Sequence, residues 1–328
     1  MKNSTISRRK FLGTAAAAAA VTAIPFNYSF AIGTQNKKPN SKVSGVQLGC
    51  TTYSYGSMPH NVEEVIGYLL MAGINSIELR NVAEEALGLP PGPPRGARGA
   101  QLSEKEKAEL AKAADSAREA QRNWRLNVPM QKYTEMRKKF NDAGINIHIY
   151  KLTTDNWSDK ETDYAFNAAK ALGARGVSDE ISDEAAQRLG KFAEKHKSTA
   201  ILHSHSQAAQ PGWTFDKFLA YSPANMLSFD AGHYFGATGL HPNGIIERLH
   251  NRISNIHIKD KTGPKSNPAN SNTPFGEGET PVADILLLLK KEKWPINVDI
   301  EMEYKIPEGS DAAKEVTKCI AYLRNILE

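Results

Sequence analysis

Four short strand-like runs in the C-terminal half of the chain each carry acids or imidazoles near their ends. They are Ala200-Ile-Leu-His203-Ser-His205, Met226-Leu-Ser-Phe-Asp230-Ala-Gly-His233, Ile253-Ser-Asn-Ile-His257-Ile-Lys259-Asp260 and Ile296-Asn-Val-Asp299-Ile-Glu301-Met-Glu303. Side chains alternate faces along a strand, so His203 and His205 share a face, as do His257 and Lys259, and Asp299, Glu301 and Glu303. With the runs side by side, His203, Asp230, His257 and Glu301 can converge on one point. Two imidazoles and two carboxylates suit one divalent cation, with Mn, Co, Fe, Mg and Zn not distinguished.

The elements that must position these groups alternate in type along the chain. Val46–Tyr53 reads as a first strand, and Asn61–Met71 has apolar residues at helical spacing that end at Gly73. Further strands are expected at 74–80, 145–152 and 176–181. Three of these joints share a pattern: Met71-Ala-Gly73-Ile-Asn, Asp142-Ala-Gly144-Ile-Asn and Ala171-Leu-Gly173-Ala. Glycine suits the left-handed residue that ends a helix, and each joint leads into an apolar run. Apolar stripes mark further helices at 159–172, 183–196, 214–221, 244–251, 282–291 and 311–326. Eight strands, each followed by a helix, predict a single-domain α/β fold of the (β/α)8 TIM-barrel type over residues 45–328. An open doubly wound sheet is the alternative, but Gly49-Cys50-Thr51-Thr52 is not a glycine-rich dinucleotide loop.

Two insertions interrupt the rhythm. After the second strand comes the run Gly88-Leu-Pro-Pro-Gly-Pro-Pro-Arg-Gly and a charged helix from Ser103 to about Gln121. After the seventh comes Lys261 to Gly278. Both follow strand C-termini, where a barrel carries its chemistry, so both are expected as lid-like segments.

The chain begins with Ser7-Arg8-Arg9-Lys10-Phe11-Leu12, an alanine-rich apolar stretch and Ser29-Phe30-Ala31, the pattern of a twin-arginine export signal over residues 1–31. Residues 32–44 are polar and read as a flexible leader. The expected location is periplasmic or otherwise exported, with no stable membrane insertion once the signal is removed. Residues 1–31 carry Lys2, Arg8, Arg9 and Lys10 and no acid, so the formal charge of +5 becomes +1 without them. A near-neutral chain argues against a nucleic-acid partner. The two cysteines, Cys50 and Cys319, match no metal-ligand spacing and are expected as separate core thiols.

Asp230-x-x-His233, His257-Ile-Lys259-Asp260, the Phe275-Gly-Glu-Gly turn and Glu301 together resemble the xylose-isomerase-like superfamily of sugar isomerases and epimerases. His203-Ser-His205, with Gly176-Val-Ser-Asp-Glu180 before it, is similar to the sugar phosphate isomerase/epimerase branch, some of whose members resemble 3-keto-glycoside lyases and hydratases. The resemblance runs from about residue 44 to 328. It implies a (β/α)8 barrel with one divalent metal held by Glu, Asp, His and Glu from strands five to eight. Asp230, His257 and Glu301 match the last three. His203 stands at the first, which leaves the fourth ligand open among His203, His205 and Glu180.

That departure bears on the chemistry the resemblance implies. Two-sided epimerisation needs a base on each face of the substrate. A single base, Glu301 or Glu180, suits a one-sided β-elimination or an aldose–ketose shift. The expectation is a metal-dependent enzyme that takes a proton next to the carbonyl of a keto-sugar or 3-keto-glycoside. Catalytic roles fall to Glu180, Glu301, Lys259 and His205. Substrate contacts fall to His233, Trp124, Arg125 and Glu78, with Trp124 and Arg125 placed just after the first lid helix. The partner is a small carbohydrate, and an oligomer is compatible. The alternatives are a sugar-binding barrel with a decayed site and an apurinic-site endonuclease.

Overall fold

Eight runs that mix apolar with polar residues form parallel strands: β1 Val46–Thr51, β2 Ser76–Leu79, β3 Asn146–Lys151, β4 Gly176–Glu180, β5 Thr199–His203, β6 Asn225–Asp230, β7 Ile253–Ile258 and β8 Asn297–Ile300. Each pairs with the next, and β8 pairs back onto β1, so the sheet closes into a barrel. The computed structural model describes residues 38–59, 61–80, 82–94 and 101–328. The expected signal at 1–31 and the leader as far as residue 37 lie outside the described residues. The rest of the leader is ordered: Lys42–Val43 pairs antiparallel with β1, and buried Ser41 bonds to Leu48 and Asn75.

Strand alternation sorts the core into two environments. Leu202, Phe229, Ile256, Ile258, Val298 and Ile300 are buried in the apolar cluster shared with the surrounding helices. Their polar neighbours meet across the barrel. His148 on β3 bonds to Asp299 on β8 at 2.9 Å, and Glu78 on β2 bonds to His257 on β7 at 3.0 Å. Strands that are not neighbours in the sheet can make such contacts only through the interior. Gly49 leaves room for this layer, because a Cβ there would lie 2.3 Å from Asp299 Oδ1.

The expected helix-ending glycines all take the left-handed conformation, with φ of 66° at Gly73, 81° at Gly144 and 79° at Gly173. Boundaries depart from expectation in three places. The first lid helix runs over Glu104–Asn127 and so contains Trp124 and Arg125. Nothing between Gln121 and Asn127 breaks a helix, and Val128 precedes a proline that disfavours continuing it. A separate helix, Met130–Asp142, then serves as the barrel helix before β3. The sixth strand stops at Asp230, whose carboxylate accepts the His233 N–H at 2.7 Å and caps a helix over Ala231–Thr238. His233 therefore sits on a helix and not on a strand.

The insertion after β7 is tied down by one carboxylate. Asp260 accepts backbone N–H groups from Lys261 (2.9 Å), Gly276 (2.8 Å), Gly278 (3.0 Å) and Thr280 (3.2 Å). Asp260–Lys261 also pairs with Asn272–Thr273 in a two-stranded ribbon.

Candidate metal and active site

The C-terminal ends of β3 to β8 bring most of the expected residues together. Donor atoms of His203, Asp230, His257 and Glu301, all buried, lie within 4.8 Å of one another. Asp230 and His257 are cross-strand partners in register, which fixes their proximity at the level of the backbone. Glu301 follows β8 directly, its N–H held by the Ile258 carbonyl at 3.1 Å.

His257 is clamped between two carboxylates, with Nδ1 at 3.0 Å from Glu301 and Nε2 at 3.0 Å from Glu78. Burial lowers its proton affinity, but Glu78 and Glu301 outweigh burial and raise it well above the usual imidazole value. Glu78 is fully buried and also accepts from Thr51 Oγ1 at 3.1 Å. The structure thus places it behind His257, in a supporting position rather than at a substrate surface. A carboxylate behind an imidazole fixes the ring's tautomer and orientation.

Lys259, 2% exposed, ends between three carboxylates: Asp230 Oδ2 at 2.9 Å, Glu301 Oε2 at 2.7 Å and Glu303 Oε2 at 2.6 Å. Burial disfavours its charge, yet Asp230, Glu301 and Glu303 more than offset this and raise its pKa. Burial likewise opposes the charges of Asp230 and Glu301, and Lys259 is the first group that overcomes it for each, so both carboxyls are held below their ordinary range. Its stem passes Gly232, where a Cβ would lie 2.3 Å from Lys259 Cγ.

Glu180 is the half-exposed carboxylate of the group. It contacts His205 Nε2 at 2.8 Å, His203 Nδ1 at 3.2 Å and Lys151 Nζ at 2.8 Å. Burial pushes its pKa up, but His203, His205 and Lys151 prevail and hold the carboxyl ionised. Lys151, buried at the end of β3, also donates to His203 Nδ1 at 2.6 Å. Sequence reading missed this lysine, because a single cation ending a strand gives no signal until the β3–β5 neighbourhood is known. His233 packs against His205 with ring centroids 4.9 Å apart, and burial lowers its pKa to about 4, so it is neutral near pH 7.

Arg125 is committed elsewhere. Its guanidinium bonds to Glu84 at 2.8 Å and Glu161 at 3.4 Å and lies over the Trp157 ring at 4.2 Å. Trp124 packs edge-on against Tyr164. Together with Arg122 and Trp157, Arg125 lines a cleft of about 610 Å³ beside the 89–93 segment. Neither Trp124 nor Arg125 has a contact with the imidazole cluster among the described residues. Both thiols are free and buried, and His148 is a hydrogen-bonded interior residue between Ser76 and Asp299.

The donor set fits a divalent ion on a direct observation. His203 Nε2 is buried without a hydrogen-bond partner and faces Asp230 Oδ2 at 3.8 Å and Glu301 Oε2 at 4.0 Å. An unpaired imidazole nitrogen beside two anionic oxygens is an arrangement that a cation completes. A second grouping, Glu180, His203 and His205, shares His203 with the first and also has donor atoms close together; each grouping has a lysine ammonium against two of its members, Lys151 here and Lys259 in the first.

No curated protein matches the sequence. Solved structures do match in fold. A sugar phosphate isomerase/epimerase from Parabacteroides distasonis is 17% identical, with 93% of this chain and 100% of that one covered and a TM-score of 0.57. A 3-keto-D-glucoside 4-epimerase from E. coli is 11% identical over 85% of this chain and 99% of that one, with a TM-score of 0.54. A probable 3-DHS dehydratase from Bacillus anthracis is 11% identical over 85% and 98%, with a TM-score of 0.53. The family model described as xylose isomerase-like TIM barrel matches residues 85–326. The chain, a closed barrel with a His/Asp/Glu cluster at its mouth, therefore belongs to the xylose isomerase-like TIM barrel family.

Proposed function

We propose that the protein is a divalent-metal-dependent enzyme acting on keto-sugars or 3-keto-glycosides by removing a proton next to the carbonyl, with one-sided elimination favoured over epimerisation. The observation that carries this reading is the convergence of His203, Asp230, His257 and Glu301 around the unpartnered His203 Nε2. These four residues would hold the ion. Once bound, it would polarise a substrate carbonyl and stabilise the negative charge that follows proton loss.

The chain's own groups divide the remaining work. Glu180, half-exposed and held ionised, takes the proton from C2 of a 3-keto-glycoside. The electrons of that C–H bond form the C1–C2 double bond as the C1–O bond breaks. The departing oxygen needs a proton, and we assign its supply to His205; its hydrogen bond to Glu180 and its partial exposure support this. Glu301 is the alternative base, but it is buried and bound to both His257 and Lys259. The nature of the site supports a one-sided reaction, since an imidazole replaces the carboxylate that a second base would require at the end of β5.

Incubation with 3-keto-glucosides and free ketoses in D2O, followed by NMR, tests the reading. Aglycone release that depends on added divalent ion supports elimination. Deuterium entry without release points to isomerisation or epimerisation. No turnover and no bound or restorable ion would leave a sugar-binding barrel as the surviving alternative. Export through the twin-arginine signal is part of the same proposal, and cell fractionation with Arg8→Lys/Arg9→Lys as the export-blocked control checks it. No helix among the described residues is long and apolar enough to cross a membrane.

A further inference from the structure

Two of the four candidate ligands, the carboxylates Asp230 and Glu301, have a cation against them. Lys259 Nζ lies 2.9 Å from Asp230 Oδ2 and 2.7 Å from Glu301 Oε2. Its third neighbour, Glu303 Oε2 at 2.6 Å, belongs to a residue outside the ligand cluster and nearer to solvent. Glu303 takes a hydrogen bond from the ammonium, while Asp230 and Glu301 meet it as ion pairs, and Asp230 Oδ2, like His203 Nε2, has no hydrogen-bond partner. The lysine thus offsets the charge of the acidic half of the site and leaves polar atoms of the site unpaired. Its route inward is built into the fold, since Gly232 leaves open the volume that the Lys259 stem fills.

We propose that Lys259 and the divalent ion compete for Asp230 and Glu301, with Glu303 holding the ammonium when those two carboxylates take the metal. This rests on the metal-dependent reading above. The lysine keeps the buried carboxylates from facing one another uncompensated. The same contact sets the affinity, because the incoming ion must displace a paired ammonium. Glu303 tunes the exchange by giving that ammonium somewhere else to go.

Direct titration with Mn2+ alone, reading free Mn2+ by EPR, tests the idea on the purified protein and on Lys259→Met, Glu303→Gln and the double variant. Lys259→Met is expected to bind at least tenfold more tightly than wild type. Glu303→Gln is expected to bind at least threefold more weakly, although Glu303 is not a ligand. The double variant should match Lys259→Met, because without the ammonium Glu303 has nothing to hold. Without metal, Lys259→Met should melt at a lower temperature than wild type and gain more on Mn2+ addition.

Wild-type binding with no gain in Lys259→Met, or a Glu303→Gln loss that persists in the double variant, would overturn the exchange while leaving the metal reading intact. Absence of binding in both wild type and Lys259→Met at millimolar Mn2+ would instead overturn the metal reading itself. Should Lys259→Met fail to fold, Lys259→Gln takes its place in the single and double variants, with the same outcomes expected.

Discussion

Glu78→Gln examines how the barrel holds His257, and its size can be worked from the contacts. Glu78 is fully buried and accepts from Thr51 Oγ1 at 3.1 Å while meeting His257 Nε2 at 3.0 Å. The amide keeps an oxygen for the imidazole but removes the charge. Stranding a buried ion costs about 3–5 kcal/mol, whereas losing one charge-assisted hydrogen bond costs roughly 1.5–3 kcal/mol. His257 keeps Glu301 at 3.0 Å, so the smaller range applies and a loss of about 2 kcal/mol is expected. At about 2–4 °C per kcal/mol, Tm falls by roughly 4–8 °C. Burial pushes the Glu78 carboxyl up, but His257, Lys151 and His203 hold it well below its ordinary 4.5. A depressed carboxyl contributes stability that is present above about pH 4.5 and lost as the pH falls toward its folded value. The gap between wild type and Glu78→Gln in calorimetry should therefore be full at pH 7 and close on acidification. Mn2+ affinity should fall about 10–100-fold, as for other residues that support a ligand. A Tm gap below about 1 °C at pH 7, or one that widens in acid, would refute the reasoning.

Three further outcomes are expected. His257→Ala should bring turnover below about one hundredth of wild type, more than loss of a supporting residue gives, with the far-UV circular dichroism unchanged. Gly232→Ala places a Cβ 2.3 Å from Lys259 Cγ and 2.8 Å from its carbonyl oxygen, so about 1–3 kcal/mol of stability should be lost, measured by calorimetry, and the Lys259 contacts disturbed. Native protein should not react with a thiol reagent such as DTNB, because both cysteines are buried and burial pushes Cys319 up to about 12; in urea both should react within minutes.

Much of the barrel was legible because its signals are local. A glycine after an apolar helical stripe, followed by a β-branched run, needs nothing from the rest of the chain, and Gly73, Gly144 and Gly173 behave accordingly. The convergence of the His/Asp/Glu cluster was legible for a related reason: strand order and chemistry together place Asp230 beside His257. What escaped depends on contacts across the barrel. Glu78 and His257 are 179 positions apart, and no periodicity links them. Lys151 looks like any strand-ending cation until His203 and Glu180 are seen around it. Arg125 and Trp124 were assigned to substrate because aromatic and cationic residues near a lid invite it, whereas Arg125 is held by Glu84 and Glu161, acids from two other helices. His233 was read at a strand end because Asp230 is both the last strand residue and a helix cap, and one residue in two roles hides the boundary.

The Asp260 carboxylate separates length from geometry in the segment after β7. With Gly276, Gly278 and Thr280 all drawn to that one side chain, both roots of the segment are fixed next to Lys259, while the tip over residues 262–271 is held largely by bonds of its own, Thr262 with Ser271 and Asn270 with Gly263. Such a segment can be exchanged like a cassette: a longer or shorter tip would change which molecules reach the barrel mouth without moving the ionisable groups beneath it. Swapping in tips from other barrels of the family is then a route to new substrate preferences, provided Asp260 and the Gly276-Glu-Gly278 turn are carried over unchanged.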